Sequence, residues 1–122
     1  MVQDFKQLQV WEKAKEYTVA IYKATDSFPI SEQYNIVSQL RRASSSIPAN
    51  IAEGCGKRTN KDFASFLHNA MGSIKECENF IILSKDLGYL KEQEFKELNQ
   101  QTQEIGKMLN ALLRKVQIDP KD

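Results

Sequence analysis

The spacing of apolar residues constrains the fold of this chain more than any other feature. In four long segments, apolar or small side chains recur every three or four positions, as they do along one face of an α-helix. Glycine or proline interrupts this pattern at residues 28–31, 54–56 and 88–89. The spacing therefore predicts four α-helices joined by short connections.

The fourth segment carries the most regular stripe. Its steps of three and four residues alternate through Phe95, Leu98, Thr102, Ile105, Leu109, Leu112 and Val116. The first stripe runs through Leu8, Trp11, Ala14, Thr18, Ile21, Thr25 and Phe28. The second runs through Val37, Leu40, Ser44, Ile47 and Ile51. The third runs through Phe63, Phe66 or Leu67, Ala70, Ile74, Cys77, Ile81, Ser84 and Leu87. These stripes predict the residues of the hydrophobic core.

Residues that commonly cap helices stand at the ends of these segments. Ser31 is placed to accept a hydrogen bond at the start of helix two, and Thr59 or Asn60 at the start of helix three. Asp62 would lie in the first turn of helix three, where the helix dipole favours a negative charge. Gly88 suits the left-handed conformation that ends many helices.

The size and composition of the chain agree with a single all-α domain. A length of 122 residues is enough for one domain, so we assign residues 1–122 to one. Five glycines and three prolines leave little material for the turns of an all-β fold. Helices of similar length joined by short turns pack as an antiparallel, up-down-up-down four-helix bundle, which is the predicted architecture.

Pro48 is the one residue in conflict with this pattern. It lacks an amide hydrogen, and it leaves the carbonyl of Ser44 without its helical partner. The hydroxyls of residues 44–46 can satisfy the freed groups locally. We therefore predict that helix two is kinked at residues 46–48 and resumes beyond them; the alternative is a true break that gives five helices.

The chain has more apolar surface than a small bundle needs. Residues 19–22 cover more than one face of helix one, and residues 80–83 do the same on helix three. One explanation is a wide apolar stripe in a small bundle, and the other is a second buried face in a homo-oligomer. Small residues at 43–46 and at Ala49 would let helices approach closely. We predict that the chain is a homo-oligomer.

The reactive residues form no recognisable catalytic or metal site. His68 is the only histidine, and no cysteine or carboxylate stands three or four positions after it. Cys55 and Cys77 lie on different segments and form no disulfide framework. The Glu-x-x-His pairs of di-iron bundles and the common nucleotide and nucleophile motifs are absent from the sequence. We therefore expect neither catalysis, metal nor cofactor.

The sequence also favours an intracellular protein. The longest apolar run, residues 80–83, is far shorter than the about 18 residues of a membrane span. No apolar leader is visible at the amino terminus, and the cysteines are unpaired. We expect a cytoplasmic protein without a membrane partner.

Basic residues are concentrated in one part of a nearly neutral chain. The net charge is +1, from 17 basic and 16 acidic residues. Residues 31–61 contain five basic and two acidic side chains and carry a net charge of +3. The basic ones are Arg41, Arg42, Lys57, Arg58 and Lys61. They form either a solvated surface or a phosphate-binding patch that an oligomer would repeat.

Several motifs match a known family. The longest, at residues 39–54, reads QLRRASSSIPANIAEG. Shorter motifs lie at residues 5–14 (FKQLQVWEKA), 28–29 (FP), 63–67 (FASFL) and 70–73 (AMGS). Together they resemble the bacterial four-helix-bundle proteins that are encoded in intervening sequences of 23S ribosomal RNA genes. The resemblance covers about residues 5–89, and helix four is similar in pattern only.

The resemblance implies an antiparallel four-helix bundle that assembles as a homopentamer around a central basic channel. It also implies kinship with the accessory protein of diversity-generating retroelements, which partners a reverse transcriptase and binds nucleic acid. Arg41 and Arg42 match the family's paired arginines, and Arg58 matches a basic position after helix two.

Two functions follow from the residues and the resemblance. The first is a non-catalytic, pentameric scaffold that binds RNA or DNA through Arg41, Arg42, Lys57, Arg58 and Lys61. The second is a protein-interaction module that serves a polymerase or nuclease, such as a reverse transcriptase, and whose basic residues only balance acidic neighbours.

Overall fold

In the computed structural model, which describes residues 4–118, the chain forms four α-helices and no strand within that range. The helices are α1 (Gln9–Thr25), α2 (Ser38–Cys55), α3 (Asn60–Asp86) and α4 (Glu92–Ile118). A 3₁₀ turn at Phe5–Gln7 precedes α1. A 3₁₀ turn at Ile30–Glu32 and a π-helical turn at Gln33–Val37 lead into α2.

The helices form a bundle around one core, which confirms the predicted fold class. Each helix packs against two others, in the pairs α1–α2, α2–α3, α3–α4 and α4–α1. Thr25 contacts Arg41 and Thr18 contacts Ser44, so contacts run in opposite directions along α1 and α2, as an up-down arrangement requires. Residues 1–3 and 119–122 of the predicted domain lie outside the described range.

The core consists largely of the predicted stripes. All five residues of the second stripe are buried, and every residue of the fourth is buried or packed against the core. Leu87 was wrongly predicted as core: it is 50% exposed, because it caps the end of α3, where the chain turns away. Tyr17, which the stripe missed, is fully buried, and its hydroxyl lies 2.8 Å from that of Thr102.

The two ends of α3 have the predicted local chemistry. The hydroxyl of Thr59 accepts a hydrogen bond from the amide of Asp62 at 3.1 Å. At the other end, Gly88 has a φ of 81°, and its amide donates to the carbonyl of Lys85 at 3.0 Å. The amide of Tyr89 donates to the carbonyl of Ser84 at 2.9 Å, which completes a Schellman motif.

The start of helix two differs from the prediction. Ser31 lies inside the 3₁₀ turn and is not an N-cap; α2 begins seven residues later, at Ser38, without a side-chain cap. Tyr34 has φ −97° and ψ 15°, outside helical geometry. A contact from far along the chain holds this segment: Glu32 accepts a hydrogen bond from the Tyr89 hydroxyl at 2.6 Å, and it accepts a second one from the neighbouring Asn35 side chain at 3.0 Å.

Pro48 lies inside an unbroken α2, so the five-helix alternative is wrong. The carbonyl of Ser44, which Pro48 leaves without its helical donor, lies 2.9 Å from the hydroxyl of Thr18 on α1. That hydroxyl is equally close to the carbonyl of Ala14, so its single hydrogen is shared. The hydroxyls of Ser44 and Ser45 donate instead to the carbonyl of Arg41. We predicted that neighbouring serines would donate to the freed carbonyl of Ser44. The donor is instead Thr18, on another helix.

Candidate nucleic-acid interface

The five predicted basic residues occupy two places. Arg41 and Arg42, here called the arginine pair, lie near the start of α2. Lys57, Arg58 and Lys61, here called the basic loop, lie between α2 and the first turn of α3. At 1.5 Å per residue, the helix between Arg42 and Cys55 separates them by ~20 Å. One chain therefore presents two basic clusters and not one patch.

Arg41 is tied to the end of α1. Its Nε donates to the Thr25 hydroxyl at 3.0 Å, and its Nη2 donates to the Tyr22 carbonyl at 3.2 Å. The guanidinium carbon also lies 4.7 Å from the centre of the Tyr22 ring. The last carbonyls of a helix lack intrahelical partners, and a cation stabilises them. Arg41 thus joins α2 to α1, a role that the sequence did not reveal.

Arg42 points elsewhere, because adjacent residues are turned about 100° apart on a helix. Its side chain is exposed. It borders a groove of about 360 Å³ at the junction of α1 and α2. The groove is lined by Tyr22, Gln33, Tyr34, Val37, Ser38, Arg41 and Arg42. The two tyrosines in this lining were not among the predicted site residues.

The basic loop leaves α2 where α3 packs closely against it. A Cβ at Gly54 would lie 2.7 Å from the Cβ of Phe66 and 2.9 Å from Cδ1 of Phe63, so only glycine fits there. Lys57 extends over the Phe66 ring, with its Nζ 5.1 Å from the ring centre. Arg58 is exposed, and so is Lys61 in the first turn of α3.

Among residues 4–118, no acidic side chain forms an ion pair with Arg42, Lys57 or Arg58. Within residues 4–118, the ion pairs are Lys13–Glu104 at 3.6 Å, Lys15–Glu12 at 3.0 Å and Lys75–Glu78 at 3.4 Å. Arg42, Lys57 and Arg58 belong to none of these. Their charge is therefore available to an anionic partner.

The other residues considered for chemistry lie outside these two clusters. His68 is exposed on α3. Cys77 is buried, and burial raises the pKa of its thiol to about 12, so the thiol stays protonated at neutral pH. Burial also raises the pKa of Cys55. Among residues 4–118, no group of three or more His, Cys, Asp or Glu side chains is arranged to hold a metal ion.

The surplus apolar segments are only partly buried. Ile21 and Ile81 are fully buried in the core. Their neighbours Val19, Ile82 and Leu83 are 43–48% exposed. The exposed large apolar side chains are Val19, Tyr22, Ile30, Tyr34, Ile82, Leu83 and Leu87. A single chain therefore leaves apolar surface on both α1 and α3.

These features define an all-α four-helix bundle with exposed basic residues at both ends of its second helix. Residues 6–111 match the family model of the 23S rRNA-intervening sequence protein, so the chain belongs to this family. No curated protein matches the chain. Among residues 4–118, none of the helices combines the length and the apolar character that crossing a membrane requires.

A solved structure has the same fold. It is the 1.70 Å crystal structure of a protein from Bacteroides thetaiotaomicron VPI-5482, described as a protein of unknown function from the S23 ribosomal protein family. The two sequences are 28% identical, and the match covers 85% of this chain and 97% of that one, with a TM-score of 0.76. The similarity supports the helical bundle and the family assignment.

Proposed function

We propose that this protein is a non-catalytic, cytoplasmic homo-oligomer, a pentamer as the family resemblance implies, that binds RNA or DNA through the arginine pair and the basic loop. The observation that carries the proposal is the exposure of Arg42, Lys57 and Arg58 without an ion-pair partner among residues 4–118. Phosphate groups supply the missing negative charge, and they do so for any base sequence.

Assembly strengthens the proposal because it multiplies a small charge. Residues 31–61 carry a net charge of +3 in each chain. In a closed ring, equivalent residues of all subunits lie at the same height along the axis. The arginine pair and the basic loop would then form two basic bands, and these would create a substantial local potential in a nearly neutral protein.

A charge-removal variant tests the binding. Arg42, Lys57 and Arg58 are changed together to Gln, and Arg41 is kept because it holds α1 against α2. The matched control changes Lys91, Lys96 and Lys107, which are exposed elsewhere, to Gln. Affinity for a labelled oligonucleotide is measured by fluorescence anisotropy between about 50 and about 200 mM salt.

We expect the triple variant to bind more weakly across sequences, with a salt slope that falls by about one for each lost phosphate contact. The control should keep nearly all the affinity. If the wild-type protein shows no binding at about 50 mM salt, where phosphate contacts are strongest, the proposal is wrong.

The exposed apolar residues favour a second function, a protein-interaction module for a polymerase or nuclease such as a reverse transcriptase. Ile82 and Leu83 are consecutive on α3 and each is 43% exposed, and exposed apolar surface marks contacts between proteins. Retained binding of a partner enzyme without any salt-dependent binding of nucleic acid would select this function over the first.

A further inference from the structure

The groove beside the arginine pair combines aromatic rings with positive charge. Tyr34 is 91% exposed and Tyr22 is 44% exposed, although burial of a large aromatic ring stabilises a protein. Arg41 and Arg42 complete the lining, and none of the seven lining residues is acidic. Asp26 lines an adjoining cavity, which shares Gln33, Val37 and Arg41 with this groove.

The backbone holds Tyr34 out of the core. Tyr34 lies in the π-helical turn, with φ −97° and ψ 15°, and π-helical turns are frequent at functional sites. On one side of Tyr34, Glu32 is fixed by the hydroxyl of Tyr89. On the other side, the carbonyl of Asn35 accepts from the Ser38 hydroxyl at 3.1 Å. The ring is therefore presented to solvent by an anchored segment.

The second ring is fixed as well. The guanidinium of Arg41 covers Tyr22 at 4.7 Å, and two hydrogen bonds hold that guanidinium in place. Such preorganisation lowers the entropy that binding costs. Arg42 stands at the rim, exposed and outside the ion pairs of residues 4–118.

We infer that this groove is a stacking site for unpaired bases and that the bound nucleic acid is single-stranded, an inference that rests on the nucleic-acid binding proposed above. Aromatic rings next to cations are the recurring means of binding single strands: bases stack on the rings, and the cations bind the backbone. In a duplex, the bases are already stacked on each other, so their faces are not accessible to a protein side chain.

Each of these side chains has its own role in binding the single strand. The Tyr34 ring stacks on a base, Arg42 binds a neighbouring phosphate, and Arg41 is a positioning residue that orients the Tyr22 ring. A second copy of the chain fits the groove less well, because it would bury two arginines and must then bring carboxylates to balance them. A nucleic acid brings a phosphate with each base.

The test compares single-stranded and duplex probes on the full chain. The probes are labelled oligo(dT) and oligo(rU), each about 20 nucleotides long, and a mixed-sequence duplex of the same length. The variants are Tyr34→Ala, Tyr34→Phe, Tyr34→Leu and Arg42→Gln. The matched control is Ile30→Ala, which removes an apolar side chain that is 88% exposed and lies outside the groove lining. Light scattering gives the mass of every variant.

We expect the wild-type protein to bind the single strands more tightly than the duplex. Tyr34→Ala should weaken single-strand binding by about 5- to 150-fold and leave the duplex affinity and the salt slope unchanged. Tyr34→Phe should bind as the wild type does, because it keeps the ring, whereas Tyr34→Leu should behave like Tyr34→Ala. Arg42→Gln should weaken binding to every probe and lower the salt slope by about one. Ile30→Ala should change nothing.

Other outcomes overturn the inference. It is wrong if Tyr34→Ala binds single strands normally, if it weakens duplex binding equally, or if Tyr34→Leu binds as Tyr34→Phe does. A loss of mass in Tyr34→Ala would identify the residue as a subunit contact and would also overturn it. In each of these cases a persistent effect of the Arg42, Lys57 and Arg58 triple variant keeps the proposed function intact. Absence of any binding by the wild-type protein removes both.

Discussion

Two adjacent arginines have different surroundings, although the sequence gives them the same side chain. Arg41 donates hydrogen bonds to the Thr25 hydroxyl and to the Tyr22 carbonyl, and it is half-buried. Arg42 is exposed on another face of the same helix. Because Arg41 satisfies groups at the end of α1, its charge serves the fold first, and Arg42 is the arginine that is available to a partner.

Changing these arginines separately should separate stability from binding. We expect Arg41→Gln to lower the free energy of unfolding by about 1–2 kcal/mol, since it loses a cation from a helix end together with two hydrogen bonds. Arg42→Gln should change it by less than about 0.5 kcal/mol, as at an ordinary surface site. Urea denaturation followed by circular dichroism measures both. Equal losses in the two variants would contradict the assignment.

At the residue scale, the sequence predicted the basic residues but not their partners. Charge counting identified all five of them. The contact of Arg41 with Tyr22 joins residues 19 positions apart, and no local pattern specifies such a pair. Tyr34 was missed for a similar reason. Its exposure depends on a turn that begins after Glu32, and Glu32 is held by Tyr89, which lies 57 positions further along the chain.

At the element scale, the helix ends that depend on local chemistry agreed with the prediction. Thr59 and Gly88 act through residues within five positions of themselves, so the sequence was sufficient there. The start of α2 and the accommodation of Pro48 were not predictable in this way. Both depend on contacts between elements, and these exist only after the bundle has formed. A bend of α2 at residues 46–48 stays a prediction.

The accommodation of Pro48 predicts a coupling between α1 and α2. Thr18→Val keeps the shape of the side chain but removes the donor to the Ser44 carbonyl, and it should cost about 1–3 kcal/mol of stability. In a Pro48→Ala background, the new amide of residue 48 can donate to that carbonyl. Thr18→Val should therefore cost clearly less there, and a double-mutant cycle measures the difference. Strict additivity of the two changes would show that Thr18 does not compensate for Pro48.

At the scale of the whole molecule, two of the exposed apolar residues, Val19 and Leu83, lie on helices at opposite corners of the bundle. Val19 is on α1, and Leu83 is on α3; each of these helices packs on α2 and α4. Both residues lie toward the same end of the bundle, as their neighbours on α4 show. Lys85, close to Leu83, contacts Phe95 on α4, and Ala20, next to Val19, borders Leu98 on α4. Two different faces at one height suit a heterologous contact, in which each subunit binds the next and the ring closes. A two-fold dimer would instead use one face twice.

This geometry predicts how two defective chains should complement each other. Val19→Glu damages the face on α1, and Leu83→Glu damages the face on α3, so each variant alone should lose the oligomer and run near 14.0 kDa. Each variant nevertheless keeps one intact face. Mixed in equal amounts, the two variants should form a dimer through one intact contact. The dimer should not grow further, because both of its outer faces are defective, so its mass should be twice that of the single chain.

Light scattering of the single variants and of the mixture measures these masses, with Gln100→Glu as a control for an added charge on an exposed position of α4. The wild-type protein and the control should run near five times 14.0 kDa if the ring is a pentamer. A mixture that stays monomeric would exclude a contact between the two faces. Variants that keep the wild-type mass would show that neither face holds the subunits together, and the apolar surface would then belong to another partner.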